Sequence, residues 1–206
     1  SKGHGVLGLY CTLYEFGIIS EDMLRTFQQN GSDLAAHPVM NLELGIESSN
    51  GSLGQGLSMG VGLALSAKKK NKPYKTYVLA GNGECNEGAI WEAAMSASQY
   101  KLDNLTLLID NNYLQSDGWS KEIMNINSFA RCFDSFGWQT FEIDGHSIPQ
   151  IYDALTREKL PGKPVCIVAN TIKGKGISFM ENKNEWHHNR LTKELYEQAM
   201  SELEVL

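Results

Sequence analysis

The fold is decided by residues 74–112, which read YKTYVLAGNGECNEGAIWEAAMSASQYKLDNLTLLIDNN. An apolar strand is predicted over Tyr74–Ala80, a helix over Ala89–Tyr100 and a second apolar strand over Leu105–Ile109. Two parallel strands need a crossover connection, and a helix is the usual one. The stretch therefore predicts a βαβ unit of a parallel sheet, with the loop at 81–88 at the carboxyl end of its first strand.

The same alternation continues on both sides of this unit. Helices are predicted over Val6–Phe16, Leu57–Lys69, Phe129–Phe136, Ser147–Glu158 and Thr192–Leu203, and a further helix is predicted to begin after Ser20. Further strands are predicted over Trp138–Ile143 and Val165–Ala169. Short apolar strands that alternate with helices form a sheet covered by helices. We therefore predict the α/β class, with a three-layer αβα fold around a mostly parallel central sheet, in a single domain spanning residues 1–206.

Several helix ends carry the residues that usually mark them. Gly17 follows the first helix as a glycine stop, and Ser20 can cap the second. Ser147 and Gln150 have the spacing of a capping box. Residues 31–55 are rich in Gly, Ser, Asn and Pro and predict a long loop, which in a compact domain is usually functional or disordered. Residues 111–120 predict a shorter, turn-rich loop.

Composition narrows the class of protein. The 206 residues are 42% hydrophobic and 20% charged, which is typical of a folded globular chain. The net charge of -6 argues against nucleic acid or an anionic membrane as the main partner. The four cysteines form no CxxC pair, which argues against a zinc site and a disulfide framework. Because no apolar run approaches the roughly 18–20 residues of a membrane span and no signal peptide pattern is present, we expect a cytoplasmic protein.

Two loops carry groups suited to an anion and a metal ion. Gly81-Asn82-Gly83-Glu84 follows the first strand of the βαβ unit, and its glycines let the backbone approach a ligand closely. Asp110-Asn111-Asn112 follows the second strand and offers side-chain oxygens suited to a hard cation such as Mg²⁺. Asn82 and Asn112 are 30 positions apart, the length of one crossover. Both loops should therefore lie at one sheet edge, where a metal ion can bridge the protein to a diphosphate.

Either loop on its own is more typical of an ordinary turn. Other nucleotide-binding motifs do not fit them. Asn86 stands where a dinucleotide fingerprint has its third glycine, and Gly174-Lys175-Gly176 lacks the spacing of a Walker-type loop. These residue types alone leave both a simple turn and a ligand site open.

The stretch from Gly81 to Asn112 resembles the thiamine diphosphate motif, which opens with Gly-Asp-Gly and closes with Asn-Asn one crossover later. The intervening Glu87-Gly88 and Trp91-Glu92-Ala93 match it as well. Residues 114–118, LQSDG, are similar to the transketolase version of the motif rather than the 2-oxo acid dehydrogenase version. The resemblance therefore points to one branch of the thiamine diphosphate enzymes.

Further segments carry the same resemblance in the same order along nearly the whole chain. They are Gly3-His4-Gly5, Ala36-His37-Pro38, Gly51-Ser52-Leu53-Gly54-Gln55-Gly56, Asp144-Gly145-His146, Lys173-Gly174-Lys175-Gly176 and Trp186-His187. The chain is thus identified as a member of the transketolase family, with the fold of its diphosphate-binding domain.

The resemblance implies a role for each matching residue. The side chains of Asn82 and Asn112 and the backbone carbonyl of Leu114 match the ligands of a divalent metal, Mg²⁺ or in its place Ca²⁺ or Mn²⁺. The implied contacts to thiamine diphosphate are His4, Gly51, Leu53, Gly81, Gly83, Glu84, Asn112, Leu114 and His187. Glu87 matches an acidic residue at the interface between two cofactor sites.

The implied catalytic residues are His4, His37 and His187. Imidazoles suit this role because they shuttle protons and donate to developing alkoxides near neutral pH. A lone histidine is more often structural, but these three stand at motif positions. For His146 the two roles remain equally open.

The implied activity is the transfer of a two-carbon ketol unit between sugars or sugar phosphates. Members of the family ionise the cofactor with a glutamate from a separate pyrimidine-binding domain, and nothing in residues 1–206 resembles that domain. We therefore expect the N-terminal subunit of a split transketolase, or an excised domain, which is active only with a C-terminal pyrimidine-binding subunit. A heterotetramer is the expected assembly.

Three residues depart from the family pattern. Asn82 replaces aspartate, Ser52 replaces proline and His188 replaces glycine. Two alternatives therefore stay open: a related synthase, such as one joining pyruvate to a sugar, and a non-catalytic subunit that has lost metal affinity, which Asn82 favours. A 2-oxo acid dehydrogenase would imply a lipoyl-domain partner, and the three motif histidines argue against it.

Overall fold

The computed structural model describes residues 1–204, so the last two positions of the predicted domain lie outside the described residues. Its helices are α1 (Val6–Glu15), α2 (Glu21–Leu24), α3 (Gln55–Lys69), α4 (Gly88–Gln99), α5 (Ser120–Ile123), α6 (Phe129–Ser135), α7 (Ile148–Thr156) and α8 (Lys193–Leu203). Its strands are β1 (Thr76–Gly81), β2 (Leu105–Asn111), β3 (Leu114–Gln115), β4 (Gly118–Trp119), β5 (Gln139–Asp144) and β6 (Val165–Asn170).

The central sheet has four strands in the order β1-β2-β6-β5, and every pairing is parallel. This confirms the predicted α/β class and its parallel sheet. The predicted helices and strands are all present, with ends displaced by one to a few residues, and α2 is a single turn. The short antiparallel hairpin β3–β4 lies inside the loop predicted over residues 111–120.

The main core lies between the sheet and helices α3, α4 and α6. Close packing of α3 on the sheet depends on Gly60, because a Cβ there would come within 2.5 Å of Val78 Cγ2. On the opposite face, Ala154 of α7 packs with Val165 and Ile167 of β6. Helices therefore flank the sheet on two sides, although Tyr77 and Leu79 of the edge strand β1 stay 50% exposed on the second face.

A second cluster fixes the long loop between α2 and α3. Val6, Tyr10 and Leu13 of α1 pack with Leu34 and Ile46 of the loop. The Tyr10 hydroxyl also donates to the carbonyl oxygen of Ala35 at 3.0 Å. The segment that carries His37 is thus tied to α1, and α1 follows directly after the turn that contains His4.

The helix caps agree in part with the sequence signals. Ser20 and Ser147 each accept a hydrogen bond from the backbone three residues ahead, as predicted. The reciprocal half of the capping box is different, because Gln150 accepts from the backbone N–H of Asp144 rather than of Ser147. Gln150 therefore ties α7 to the end of β5. Within residues 1–204 no helix combines the length and apolar character needed to cross a membrane.

Candidate cofactor site at the strand ends

A pocket of about 210 Å³, here called the strand-end pocket, lies where β1 and β2 end. The strand register places Gly81 beside Asp110, which brings the two predicted loops together. The pocket is lined by Lys2, His4, Leu53, Gly81, Asn82, Gly83, Glu84, Asn112, Leu114, Gln115, Ser116, Lys173 and His187. Every residue that the resemblance assigns to the cofactor or the metal lines this pocket, except Gly51. Of the three predicted catalytic histidines, His4 and His187 line it and His37 does not.

The first loop is held by a buried carboxylate. Glu84 is 3% exposed, and its carboxylate accepts hydrogen bonds from the backbone N–H groups of Gly54 at 2.8 Å and Gly81 at 3.1 Å. Glu84 is one of the predicted cofactor contacts, and it lines the pocket, but its oxygens are directed at the backbone. Its carboxylate therefore holds the start of α3 against the end of β1.

Glycines at this edge leave room for neighbouring segments. A Cβ at Gly54 would lie 2.7 Å from Glu87 Cβ, and Gly54 has a φ of 81°, where glycine is favoured. A Cβ at Gly83 would lie 3.0 Å from Gln115 Cγ. The backbone of Gly54 can therefore lie close to Glu87, and the backbone of Gly83 close to Gln115, because neither glycine has a side chain.

The second loop is organised by amide side chains. Asn112 donates to Asp110 Oδ2 at 3.0 Å and accepts from the backbone N–H of Leu114 at 3.1 Å. Leu114 begins the hairpin β3–β4, so its carbonyl oxygen has a fixed position at the pocket wall. The predicted metal residues Asn82, Asn112 and Leu114 are all buried and line the same pocket.

One end of the Asn82 amide lies 3.3 Å from the carbonyl oxygen of Asp110 and 3.2 Å from that of Leu114. The other end lies 2.6 Å from Ser120 Oγ. When Oδ1 faces the two carbonyls, three oxygens lie together, and the Asp110 carbonyl also accepts from the backbone N–H of Asn82 at 3.1 Å. The oxygens of Asn82 and Leu114 suit a hard divalent cation, and Asn112, the third residue of the implied metal site, lines the same pocket.

Two lysines, Lys2 and Lys173, line the pocket, and the sequence alone predicts a role for neither. Lys2 forms an ion pair with Asp110, which also accepts from the Thr171 hydroxyl. Burial by itself raises the pKa of Asp110, but Lys2 and these hydrogen bonds hold that pKa below its ordinary value. Desolvation lowers the pKa of Lys173, as does repulsion from Lys2, while Asp110 opposes the shift. The ion pair leaves Lys173 as the less compensated charge.

His4 and His187 lie together in the pocket, with ring centroids 5.0 Å apart. Desolvation, followed by repulsion from Lys2, His187 and Lys173, lowers the pKa of His4 to about 4. Desolvation and the same two lysines also lower the pKa of His187. Both rings are therefore neutral at pH 7.

His37 reaches the same region from the long loop. The His37 ring packs against two glycines. A Cβ added at Gly3 would lie 2.8 Å from His37 Cδ2, and a Cβ added at Gly51 would lie 3.2 Å from the same atom. His37 is also near enough to His4 to contribute to the lowered pKa of His4, and His4 lies beside His187. The region shared by the three predicted histidines is here called the histidine cleft. Gly51, predicted to contact the cofactor, has a φ of 139° and packs against His37 outside the pocket lining.

The remaining residues singled out from the sequence lie around the pocket. His146 accepts at Nε2 from the backbone N–H of Ile172 at 2.8 Å, which ties the loop after β5 to the one that carries Lys173. This contact favours the structural role for His146. Glu87 is exposed at the start of α4, and His188 is exposed beyond the pocket.

The sequence did not indicate Lys2, Lys173, Gln115 or Ser120 as residues of the site. Lys2 and Lys173 lie in or beside the family motifs, and a signal was available, because a diphosphate needs cations close by. Ser120 gave no such signal, since it lies eight positions beyond the Asn-Asn pair and reaches Asn82 only through the hairpin.

Comparison with known families identifies the family to which this fold belongs. The family described as transketolase, thiamine diphosphate binding domain, matches residues 1–204. The chain belongs to the transketolase family. The resemblance noted in the sequence is thereby confirmed, and the strand-end pocket lies within the thiamine diphosphate-binding domain of that family.

Two relatives extend this family assignment. The chain is 45% identical over 203 residues to a subunit of the apulose-4-phosphate transketolase of Actinobacillus succinogenes, covering 98% of this chain and 74% of that protein. It is 42% identical over 205 residues to the 6-deoxy-6-sulfo-D-fructose transketolase subunit SqwG of a Clostridium species, covering 99% of this chain and 74% of that protein. Both relatives are named as subunits of transketolases.

Solved transketolase structures share the fold. The crystal structure of transketolase from Campylobacter jejuni superposes with a TM-score of 0.83 at 32% identity and covers 89% of this chain. The chain corresponds to 30% of that longer protein. It spans less than a third of the solved enzyme, and the fold and family are common to both.

Proposed function

We propose that this chain supplies the diphosphate and metal site of a transketolase-type transferase that moves a two-carbon ketol unit between sugars. The observation that carries the proposal is the strand-end pocket, where Asn82, Asn112 and Leu114 lie beside Lys173 and the histidine cleft. Metal ligands, cations for a diphosphate and proton-transfer groups are thus within one region of the molecule.

The divalent metal would be held by Asn82 Oδ1, Asn112 Oδ1 and the carbonyl oxygen of Leu114. Magnesium suits these hard oxygen ligands and commonly binds between protein oxygens and ligand phosphates. Lys173 would contribute positive charge towards the diphosphate. His4, neutral at pH 7, adds no positive charge of its own at that end of the pocket.

Thiamine diphosphate, when bound, supplies the carbanion chemistry that breaks and forms the carbon–carbon bond. The protein positions the substrate and moves protons. Lys173 Nζ lies 3.3 Å from His187 Nδ1, and because an ammonium only donates, Nδ1 accepts. Neutral His187 therefore carries its proton on Nε2 and can donate it to a substrate oxygen. His37 and His4 would serve the remaining substrate hydroxyls.

We further propose a partner chain. Several relatives are named as one subunit of a transketolase, which supports a second subunit for this chain too. Within residues 1–204 many large apolar side chains are exposed at the end of α1 and on the loop after α2, among them Phe16 at 79%, Met40 at 58% and Leu42 at 71%. Exposed apolar surface of this kind marks interaction sites. The partner would be a C-terminal, pyrimidine-binding subunit, and a heterotetramer would follow from pairing two such units.

The proposed substrate class is a small ketose with an anionic group. Relatives are named for apulose 4-phosphate and for 6-deoxy-6-sulfo-D-fructose, which carry a phosphate and a sulfonate. The test is a coupled assay of ketol transfer by the full-length chain, on its own and mixed with the complementary subunit. We expect no turnover from the chain on its own and turnover on mixing. Turnover by the isolated, purified chain would refute the partner requirement.

A second candidate is a non-catalytic subunit, which Asn82 favours because it removes a negative charge from the metal site. The discriminating measurement is thiamine diphosphate binding to the assembled protein with and without Mg²⁺. Binding that depends on Mg²⁺ supports the enzyme, whereas binding that ignores Mg²⁺ supports the non-catalytic role.

A further inference from the structure

Asn82 has different partners on its two sides. Ser120 Oγ lies 2.6 Å from one end of the amide, and the carbonyl oxygens of Asp110 and Leu114 lie 3.3 and 3.2 Å from the other. A carbonyl oxygen only accepts hydrogen bonds, whereas a serine hydroxyl both donates and accepts. Asn82 is 3% exposed, so its polar atoms depend on these neighbours rather than on water.

The amide can therefore adopt two complete arrangements. With the nitrogen turned inwards, Nδ2 donates to both carbonyls and Oδ1 accepts from the Ser120 hydroxyl. With the oxygen turned inwards, Nδ2 donates to Ser120 and Oδ1 joins the two carbonyl oxygens. The second arrangement places three acceptors together. The Asp110 carbonyl keeps its hydrogen bond from the Asn82 backbone N–H at 3.1 Å, so Asn82 Oδ1 and the Leu114 carbonyl are the oxygens that a cation would satisfy.

We propose that Asn82 and Ser120 form an amide switch, in which the Asn82 nitrogen satisfies the two carbonyls without a cation and a 180° rotation presents its oxygen when the cation binds. This inference rests on the proposed function, because it concerns the metal of that same site. Ser120 is a positioning residue, since its hydroxyl can reverse its role and stay bonded to Asn82 in both states.

The local structure keeps the partners of the switch in place. Ser120 begins α5, and its backbone N–H donates to the carbonyl oxygen of Tyr113 at 2.8 Å. The hairpin β3–β4 pairs Leu114 with Trp119, directly before Ser120. The hairpin thus carries the Leu114 carbonyl, and Ser120 follows it directly, so the hairpin fixes how far the Ser120 hydroxyl lies from that carbonyl.

An aspartate at position 82, as in the family motif, would behave differently. A carboxylate is an acceptor on both oxygens, so one oxygen would face the two carbonyls whether or not a cation is present. Such a site is unfavourable without the cation and gains more from binding it. The amide switch therefore predicts a protein that is more stable without metal and binds metal less tightly than its aspartate variant.

The first experiment compares thermal unfolding of the full-length wild type and Asn82→Asp, in EDTA and in saturating Mg²⁺ with thiamine diphosphate. In EDTA we expect the variant to unfold about 2–8 °C lower. In Mg²⁺ we expect it to gain more than the wild type, with Mg²⁺ affinity at least about tenfold tighter. Equal unfolding temperatures in EDTA, or equal Mg²⁺ affinities, would overturn the switch.

Variants at Ser120 test the hydroxyl itself. Ser120→Ala removes the partner in both states and should lower the unfolding temperature with and without Mg²⁺. Ser120→Thr keeps the hydroxyl and should restore the wild-type response. If Ser120→Thr lost as much stability as Ser120→Ala, the packing of the side chain and not its hydroxyl would be responsible. That result would count against the proposal.

A spectroscopic readout separates this inference from the proposed function. In protein labelled with ¹⁵N-asparagine, the side-chain resonances of Asn82 are those missing from Asn82→Asp, and Mg²⁺ with thiamine diphosphate should shift them strongly. In uniformly ¹⁵N-labelled protein, Mn²⁺ in place of Mg²⁺ should broaden the backbone resonances of Gly83 and Leu114. No broadening would overturn both the metal site and the switch. Broadening without a shift of the Asn82 amide would overturn the switch alone.

Discussion

The strand-end loops, residues 81–86 and 110–114, and the histidine cleft meet at one pocket but are built in opposite ways. The loops follow adjacent parallel strands, and their polar side chains Asn82, Glu84 and Asn112 are buried and hydrogen-bonded to the protein itself. The histidines come from three distant segments, and His4 and His37 remain exposed.

We propose that this difference corresponds to two roles, ligand binding by the loops and proton transfer by the histidines. A buried hydrogen-bonded loop holds its geometry before any ligand arrives, which suits a metal and a diphosphate. An exposed imidazole costs the fold little and stays free to exchange protons. We therefore expect changes in the strand-end loops to affect stability and cofactor affinity together, and changes in the histidine cleft to affect turnover with little change in stability at neutral pH.

The largest effect should come from His37→Ala. His37 is exposed and contributes little to the core, so the free energy of unfolding should change by less than about 0.5 kcal/mol. Ketol transfer by the assembled enzyme should fall by ~10²–10⁴, the usual contribution of a proton-transfer residue. The matched control is His188→Ala, an exposed histidine outside the pocket, which should leave turnover close to that of the wild type.

If His37→Ala instead lost stability and activity to the same degree, the histidine cleft would be a structural feature, and the contrast between the two regions would fail. Urea unfolding and steady-state kinetics on the same preparations make this comparison.

Glu84→Gln tests whether the strand-end loops depend on their buried hydrogen bonds for stability. The amide nitrogen of glutamine would face backbone N–H groups of Gly54 or Gly81 that now donate to a carboxylate. Leaving a buried donor unsatisfied costs about 1–3 kcal/mol, so the urea midpoint should fall measurably. Glu87→Gln, three positions later and exposed, is the control and should not change the midpoint. An unchanged midpoint in Glu84→Gln would mean that the loop does not depend on this carboxylate.

Lys173→Met should weaken thiamine diphosphate binding by about tenfold, since one charge-assisted contact is worth roughly 1.5–3 kcal/mol before desolvation is subtracted. Lys175→Met is the control, because Lys175 is exposed and lies near Glu181 instead of in the pocket. Calorimetric titration of the assembled protein measures the thiamine diphosphate affinity of both variants. The difference in affinity between Lys173→Met and the wild type should shrink at high salt, because salt screens the charge. Equal affinities for the two variants would remove Lys173 from the binding site.

The smallest effect concerns acid stability and His4. Its pKa in the folded state, about 4, is below its ordinary value of 6.5, so the unfolded chain binds the extra proton first as the pH falls. Stability from neutral His4 is complete above pH 6.5 and is lost between about pH 6.5 and 4. His4→Gln should show a shallower decline than the wild type in this window, measured by urea unfolding. Parallel curves would contradict the shifted pKa.

The strand-end loops are more predictable from the sequence than the histidine cleft, for physical reasons. Apolar strands with a crossover of fixed length set the register that places Gly81 beside Asp110, so local pattern alone brings these loops together. The histidines carry no such geometric signal. Their convergence is implied only by the family resemblance, because the path of the long loop depends on packing of Leu34 and Ile46 against α1.

Other features are not predictable because they depend on tertiary contacts. The hairpin β3–β4 has only two residues per strand and is hidden in a turn-rich loop. The family motif predicts Glu84 as a ligand contact, yet its bonds to Gly54 and Gly81 become visible only once α3 and β1 are in place. Ser120 gives no signal because its partner, Asn82, is in another loop.

The central claim is that the strand-end pocket binds a metal ion and thiamine diphosphate together, and a crystal structure of the assembled protein grown with Mg²⁺ and the cofactor tests it most directly. We predict density for the diphosphate in this pocket, with the cation between it and the oxygens of Asn82, Asn112 and Leu114. An empty pocket at saturating cofactor, or a nicotinamide cofactor bound there instead, would contradict the account.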